Sequence, residues 1–165
     1  MVVEVVLGSV ELSDAQWIFD ACQDSQIQRW TTVPRPYLIE HAESFCNGDV
    51  VTERIRWTIR DSSINGRGLG LISVHAITDG VAELGYWVAP WARGEGVCTS
   101  AVGRVVDQLQ ELPEVEAITA RVASTNFASQ RVMIKSDFEA VGETLELLPD
   151  GDLKVPGIVF RRNLR

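Results

Sequence analysis

Residues 82–101 constrain the fold of this chain more than any other stretch. The stretch begins with the two-residue alternation of a β-strand, from Leu84 to Val88, and Pro90 ends the strand because proline has no N–H to give to a ladder. Two glycines follow within the next six residues, and apolar side chains then recur at the spacing that predicts a helix over 97–112. The predicted order is therefore strand, glycine loop, helix.

The glycine loop, residues 93–96, has a physical use at the start of a helix. The first N–H groups of a helix lack intrahelical partners and carry the positive end of the macrodipole. Gly94 and Gly96 would let phosphate groups approach those N–H groups without meeting a Cβ atom, and Arg93 adds a fixed positive charge. A tight loop that merely joins a strand to a helix explains two glycines equally well.

Three separated motifs favour the first interpretation. Residues 93–98 read Arg-Gly-Glu-Gly-Val-Cys, which resembles the acetyl-CoA loop of the GNAT superfamily of N-acetyltransferases at every position except the last. The lead-in at 86–90 and the segment 126–132 resemble the branch of the ribosomal-protein N-terminal acetyltransferases. The resemblance extends over about residues 11–160.

The resemblance implies one α/β (α+β) domain over residues 1–165. Its sheet would be mixed and mostly antiparallel, flanked by helices, with central strands at 81–88 and 117–122 that splay apart. Acetyl-CoA would be the acetyl donor, with its pantetheine arm in the gap, and no metal would be needed. The residues implied to contact acetyl-CoA are Tyr86, Trp87, Val88, Arg93, Gly94, Glu95, Gly96, Val97, Cys98, Thr99, Asn126 and Ser129.

Acetyl transfer to an amine needs a group that removes a proton, because an alkylamine with a pKa near 10 is almost wholly protonated at neutral pH. Glu83 is the first candidate, since its strand ends at the glycine loop. A strand glutamate paired with an arginine of a neighbouring strand is the alternative. His75 is the second candidate, because histidine exchanges protons near neutral pH, although a single strand histidine is often structural.

The proton donor to the leaving thiolate departs from the family pattern. Many GNAT enzymes carry a tyrosine seven residues after the asparagine that begins this helix, and here Met133 stands there. In the resembled branch a serine three residues after that asparagine has this role, which implies Ser129. The alternative is that Ser129 only satisfies the backbone of the preceding turn, and that Asn126 is an ordinary helix cap.

The resemblance also places one wall of the acceptor cleft between the first strand and the second long helix. Arg29, Trp30 and Tyr37 are therefore candidate acceptor contacts, although Trp30 is equally suited to packing beneath the helices. The acceptor is left open between a protein N-terminus and a small amine. A GNAT-fold module that binds an acyl-CoA without catalysis, as a sensor or partner, is the competing function, because Met133 cannot donate a proton.

Charge, the length of apolar runs and cysteine content limit the kinds of partner and the cellular compartment that we expect. A formal net charge of −8 opposes nucleic-acid binding and suits a cationic acceptor. No apolar run is long enough to span a bilayer, so we expect a cytoplasmic protein with no membrane partner, either a monomer or a homodimer. The three cysteines are expected as free thiols. Cys98 lies in the first turn of the predicted helix, where a thiol pKa can be lowered, although close backbone packing also explains a small residue there.

The remaining elements follow from periodicity and turn signals. Turns are expected at 62–66, 79–80 and 149–152, and Asp137 is suited to a positive φ. Strands are predicted over 2–12, 52–61, 68–78, 138–147 and 158–163, and helices over 15–22, 27–30, 37–47 and 127–135.

Overall fold

A computed structural model describes residues 3–49, 53–63 and 67–165. The helices are α1 (Ala15–Ala21), α2 (Ser25–Trp30), α3 (Ile39–Asn47), α4 (Val97–Gln110) and α5 (Phe127–Lys135). The strands are β1 (Val5–Gly8), β2 (Ile55–Asp61), β3 (Gly70–Thr78), β4 (Val81–Val88), β5 (Ala117–Ala123), β6 (Glu139–Glu143), β7 (Leu148–Asp150), β8 (Leu153–Val155) and β9 (Gly157–Asn163).

Seven of these strands form one mixed sheet in the order β1-β2-β3-β4-β5-β9-β6. All neighbours are antiparallel except β4 and β5, which are parallel. A parallel connection needs a crossover, and α4 supplies it. The predicted fold class, a mostly antiparallel mixed sheet flanked by helices, is confirmed.

Each face of the sheet carries its own apolar core. On one face, α4 and α5 bury Val102, Val105 and Met133 against Ala82 and Leu84 of β4. On the other face, α1, α2 and α3 pack against Leu71 and Trp87. Since side chains alternate along a strand, Tyr86 of β4 faces α4 and α5, whereas Glu83, Gly85 and Trp87 face the other helices.

Strand β4 and strand β5 separate part-way along their length. The parallel register runs from Val81 opposite Ala117 to Leu84 opposite Ala120. Beyond it, residues 85–88 stay paired with β3, and residues 121–123 stay paired with β9. The splay that the resemblance implied is therefore present, and it begins after Leu84.

The turn predicted at 79–80 is confirmed, and Asp79 and Gly80 have φ of 49° and 77° there. Asp137, which the sequence made suited to a positive φ, has φ of 62°. The observed strands β1 and β2 and helix α3 are shorter than the elements predicted over 2–12, 52–61 and 37–47. Helix α3 begins at Ile39, because Leu38 is its N-cap and has an extended backbone. The predicted ends at residues 2 and 52, and the turn at 64–66, lie outside the described residues.

The prediction of a strand over 138–147 is wrong in its second half. Strand β6 ends at Glu143, and the Thr144 hydroxyl donates to the Glu146 carbonyl at 2.6 Å while accepting from the Gly157 N–H at 3.1 Å. This turn removes the following residues from the β6–β9 ladder. Residues 148–155 form a separate two-stranded hairpin, β7–β8, around the turn predicted at 149–152.

Candidate active site at the gap between β4 and β5

The gap between β4 and β5 opens beside the N-terminus of α4. Gly96 is the N-cap of this 14-residue helix, and none of the described side chains caps it. The first helical bond runs from Ser100 N–H to the Gly96 carbonyl at 3.0 Å. The N–H groups of the first turn therefore face outward with the positive end of the macrodipole, which is an arrangement that binds anions.

The glycine loop leaves this helix end open. Gly94 and Gly96 have φ of 81° and 72°, a conformation that non-glycine residues rarely adopt. A Cβ atom built on either residue would have no described heavy atom within 4 Å. The two glycines therefore allow the left-handed turn and also leave the backbone of the loop accessible to a ligand. Glu95 is exposed as well, whereas Val97 is buried and anchors the helix to the core.

Arg93 does not extend freely from the loop. Its two terminal nitrogens donate to both carboxylate oxygens of Asp24 at 3.2 and 2.5 Å. Asp24 is also the N-cap of α2 and accepts from the N–H groups of Gln26 and Ile27. Burial opposes the charge of Asp24, but the hydrogen bonds from Arg93 and Ile27 outweigh it and lower the pKa of the carboxyl group. This ion pair joins the glycine loop to α2.

Helix α5 forms the opposite wall of the opening. Asn126 is its N-cap, and its side-chain oxygen accepts from the Ser129 N–H at 3.2 Å. The Ser129 hydroxyl lies 2.7 Å from the Tyr86 hydroxyl of β4. Met133, at the position where the resemblance implied a tyrosine, is fully buried in the core. The hydroxyl group near Ser129 therefore comes from β4 and not from α5.

Cys98 lies between these walls, in the first turn of α4, and interacts electrostatically with Tyr86. Burial raises the pKa of the Cys98 thiol to about 12. The expectation of a lowered thiol pKa at this helix start is wrong, because the loss of solvation outweighs the helix dipole. Burial and the neighbouring Cys98 also raise the pKa of Tyr86 well above its usual range. This side of the gap holds neutral hydroxyl and thiol groups.

The two candidate bases lie on the other face of the sheet, on β4 and on the neighbouring β3. Arg121 of β5 donates to Glu83 Oε1 from Nε at 2.8 Å, and its Nη2 lies 2.7 Å from the same oxygen. Glu83 is thus ion-paired across the point where the strands separate. The His75 ring of β3 occupies the space above Gly85, where a Cβ would lie 2.2 Å from His75 Nε2. Both candidates therefore face the side of the sheet that carries α1, α2 and α3.

The predicted acceptor contacts are placed differently from one another. The Arg29 guanidinium lies 4.3 Å from the centre of the Trp30 ring and donates to Asp150 of β7 at 2.6 Å. The hydrogen bonds from Arg29 and then from Thr125 lower the pKa of the Asp150 carboxyl group. Tyr37 is only 6% exposed and lies in the core with Cys22, so it presents no free surface to an acceptor.

Sequence reasoning missed Asp24, Arg121, Asp150 and the side chain of Tyr86 as named residues, although Arg121 is the neighbouring-strand arginine that the alternative interpretation of Glu83 expected. Each of the first three is the distant partner of a residue that the sequence singled out. Glu83 and Arg121 are 38 positions apart in the sequence, and Arg29 and Asp150 are 121 positions apart. Tyr86 was predicted only through its backbone. Its strand alternation was a usable signal, because it places the ring on the face that α5 covers.

Within the described residues, all three cysteines are free thiols. No cluster of three or more His, Cys, Asp or Glu side chains in that part of the chain is arranged to hold a metal ion. None of the described helices is both long and apolar enough to cross a bilayer.

Comparison with known proteins gives a single family. A family model for the acetyltransferase (GNAT) domain matches residues 4–139. No curated protein matches the chain significantly. Three similar solved structures illustrate the shared fold, and at their levels of identity the likeness concerns the fold alone.

The first is spermidine N-acetyltransferase from Vibrio cholerae in complex with CoA and spermine, with a TM-score of 0.80, 19% identity, and coverage of 97% of this chain and 95% of that chain. The second is RimL, a ribosomal L7/L12 alpha-N-protein acetyltransferase, in complex with coenzyme A, with a TM-score of 0.82, 16% identity, and coverage of 96% of this chain and 93% of that chain. The third is a GNAT-family acetyltransferase from Bacillus anthracis, with a TM-score of 0.82, 17% identity, and coverage of 99% of both chains.

Proposed function

The chain belongs to the GNAT family of acetyl-CoA-dependent N-acetyltransferases, and we propose that it transfers the acetyl group directly to a primary amine held at the gap between β4 and β5. One observation carries the proposal. The gap begins after Leu84 and opens beside the uncapped N-terminus of α4, so that a thioester donor and an amine can reach the same opening from opposite faces of the sheet.

The donor side of the gap, which we define as Tyr86, residues 93–99 and residues 126–129, suits acetyl-CoA. Acetyl-CoA supplies an acetyl group already activated as a thioester. The exposed first turn of α4 and the open space over Gly94 and Gly96 fit its pyrophosphate, because backbone N–H groups and a helix dipole stabilise negative charge. The residues 85–88, unpaired with β5, offer backbone groups to an extended pantetheine arm.

The acceptor side, which we define as Glu83, His75, Arg29 and Trp30 with their partners Arg121 and Asp150, carries two carboxylates, and each is ion-paired with an arginine. These charges balance one another, so the attraction for a cationic acceptor comes from the net charge of −8 of the whole chain. An ammonium ion that is drawn to the protein must lose a proton before it can attack. The spermidine N-acetyltransferase and RimL act on a polyamine and on a protein N-terminus, which are both primary amines.

Glu83 is proposed as the group that takes the amine proton, directly or through water. Its carboxylate lies on the acceptor face at the point where β4 leaves β5. Arg121 holds the carboxylate in place but also occupies Oε1. His75 is the second candidate, because its ring lies over Gly85 on the same face of the sheet as Glu83. Gly85 is two residues beyond Glu83 along β4.

The test follows thiol release when the purified protein is incubated with acetyl-CoA and a panel of acceptors. The panel contains spermidine, an aminoglycoside and a lysine-free peptide with a free N-terminus, and the matched control is the same peptide with an acetylated N-terminus. We expect release with at least one free amine and none with the blocked peptide. Tight acetyl-CoA binding with no release from any acceptor would instead support a non-catalytic acyl-CoA sensor.

A further inference from the structure

The hydrogen bond between Tyr86 and Ser129 joins the two walls of the gap. Tyr86 lies on the part of β4 that has left β5, and Ser129 lies in the first turn of α5, which follows β5. Their hydroxyl oxygens are 2.7 Å apart, the usual distance of a strong O–H···O bond. The next contact of the Tyr86 hydroxyl, to the Ser129 carbonyl, is 3.5 Å and much weaker.

The direction of this bond follows from the partners that each proton can reach. The Ser129 Oγ is the nearest acceptor for the Tyr86 proton, so we take Tyr86 as the donor and Ser129 Oγ as the acceptor. The alternative, in which Ser129 donates to Tyr86, would leave the tyrosine proton only the long contact to the carbonyl. When Tyr86 donates, the Ser129 proton is free to point into the gap.

The surroundings of the pair keep both hydroxyl groups neutral. Burial and the neighbouring Cys98 raise the pKa of Tyr86, and burial raises the pKa of Cys98 as well. A tyrosine that holds its proton this firmly is a poor acid but a lasting hydrogen-bond donor. In such an apolar setting one hydrogen bond also polarises the next along a chain.

We propose that Tyr86 is a positioning residue that donates to Ser129 and thereby directs the Ser129 hydroxyl proton at the sulfur of the leaving CoA. The inference rests on the proposed function. It explains how this chain works with Met133, which is buried and has no proton to give. The hydroxyl group missing from α5 is supplied by β4, through Ser129.

The chemistry balances without a further reactant. The amine nitrogen forms a bond to the acetyl carbon, and the bond from that carbon to sulfur breaks with its electron pair going to sulfur. The proton lost by the amine leaves through the acceptor side, and sulfur ends with one proton taken from water or from Ser129, which is then reprotonated. A hydrogen bond from Ser129 stabilises the negative charge on sulfur while the bond breaks, which is where a fixed dipole contributes most.

The experiment compares Tyr86→Phe, Ser129→Ala and the double variant with the wild-type protein. Tyr37→Phe is the matched control, because it removes the other tyrosine hydroxyl of the chain, which is also buried but lies in the opposite core. Two quantities are measured: kcat and KM for acetyl transfer, and the pKa of the thiol in the complex with CoA, followed by the ultraviolet absorbance of the thiolate.

We expect Tyr86→Phe to lower kcat roughly 3- to 10-fold with KM for acetyl-CoA unchanged, which is the worth of one neutral hydrogen bond made in the transition state. Ser129→Ala should lower kcat further, and the double variant should match Ser129→Ala, because Tyr86 acts through Ser129. The pKa of the bound thiol should rise in both single variants and stay at the wild-type value in Tyr37→Phe.

Two results would overturn the proposal. One is a double-variant loss equal to the product of the two single losses, which would mean that Tyr86 and Ser129 act independently. The other is a bound-thiol pKa that Tyr86→Phe leaves unchanged. If the wild-type protein transfers no acetyl group but binds CoA, the proposed function fails, and the thiol titration alone decides the role of Tyr86.

Discussion

The donor side and the acceptor side of the gap are built by different kinds of interaction. The donor side depends on local backbone structure: a glycine N-cap on α4 and an asparagine N-cap on α5. The acceptor side depends on ion pairs between distant segments, Glu83 with Arg121 and Arg29 with Asp150. Short-range rules therefore fix the two helix starts on the proposed donor side, and long-range contacts set the positions of the charged side chains on the proposed acceptor side.

The largest effect is expected at Glu83, where the two sides meet. If Glu83 takes the amine proton, Glu83→Gln should lower kcat/KM by roughly 10²- to 10⁴-fold with acetyl-CoA affinity unchanged. The loss should shrink as the pH rises towards the amine's own pKa of about 10, because more acceptor then arrives deprotonated. Steady-state rates across a pH series, with calorimetric binding of acetyl-CoA, test this.

The control for that experiment is His75→Ala, on the same face. Full activity of Glu83→Gln at every pH, with loss of activity in His75→Ala, would move the base to His75. A raised KM with little change in kcat would mean that Glu83 only holds the cationic acceptor.

The second effect concerns the backbone of the donor side. Gly96→Val should abolish most of the thermal stabilisation by acetyl-CoA, because a branched side chain would fill the open space over the first turn of α4. Gly151→Val is the matched control, since Gly151 also has a positive φ, 63°, and open space around it, but lies in the β7–β8 turn.

Both valine variants carry the cost of a strained backbone, about 1 to 2 kcal/mol of stability. Only Gly96→Val should lose the shift in melting temperature on addition of acetyl-CoA. Equal shifts in the two variants would show that Gly96 is present for the turn alone.

The same contrast explains how far the sequence could predict the molecule. Strand β4, the start of α4 and the Asn126 cap were predictable, because each depends on residues within a few positions of one another. The splay after Leu84 came only from family resemblance, since no local pattern records where two strands separate.

The partners Asp24 and Asp150 could not be predicted, and for Glu83 only the kind of partner, a neighbouring-strand arginine, could be expected and not its identity as Arg121. Charged residues are common along the chain, and only the folded structure selects which of them meet. Hairpin β7–β8 was missed for a related reason: the turn at Thr144 is set by its bonds to Glu146 and Gly157, and not by a glycine or proline at that position.

A third effect separates two roles of Arg93, which belongs to the donor loop but binds Asp24 of α2. Arg93→Ala should weaken acetyl-CoA binding by ~1.5 to 3 kcal/mol if its charge also serves the phosphates. Asp24→Asn keeps that charge and should leave the dissociation constant of acetyl-CoA unchanged while raising the acceptor KM, because α2 loses its tie to the loop. Calorimetry and steady-state kinetics on both variants test this.

An unchanged acetyl-CoA dissociation constant in Arg93→Ala would make Arg93 a purely structural tie between the two sides. Asp152→Asn is the control, because its contact with Arg35 spans 3.8 Å with a fully exposed carboxylate and should affect neither constant.

The smallest effect is the pH dependence of stability that Asp24 contributes. Its pKa in the folded protein is lowered from the ordinary value of 3.8, so the folded state favours the charged carboxylate more than the unfolded state does. A lowered folded-state pKa stabilises the protein above the unfolded value and loses that contribution as the pH falls through the folded value. The difference in unfolding free energy between the wild-type protein and Asp24→Asn should therefore stay constant from pH 7 down to about 5 and shrink below pH 4. Urea unfolding at several pH values measures it. A difference that persists unchanged at the lowest pH would mean that the lost stability does not depend on the carboxylate charge. No difference at any pH would mean that Asp24 stabilises the protein only through its cap bonds with Gln26 and Ile27, which an asparagine oxygen can also accept.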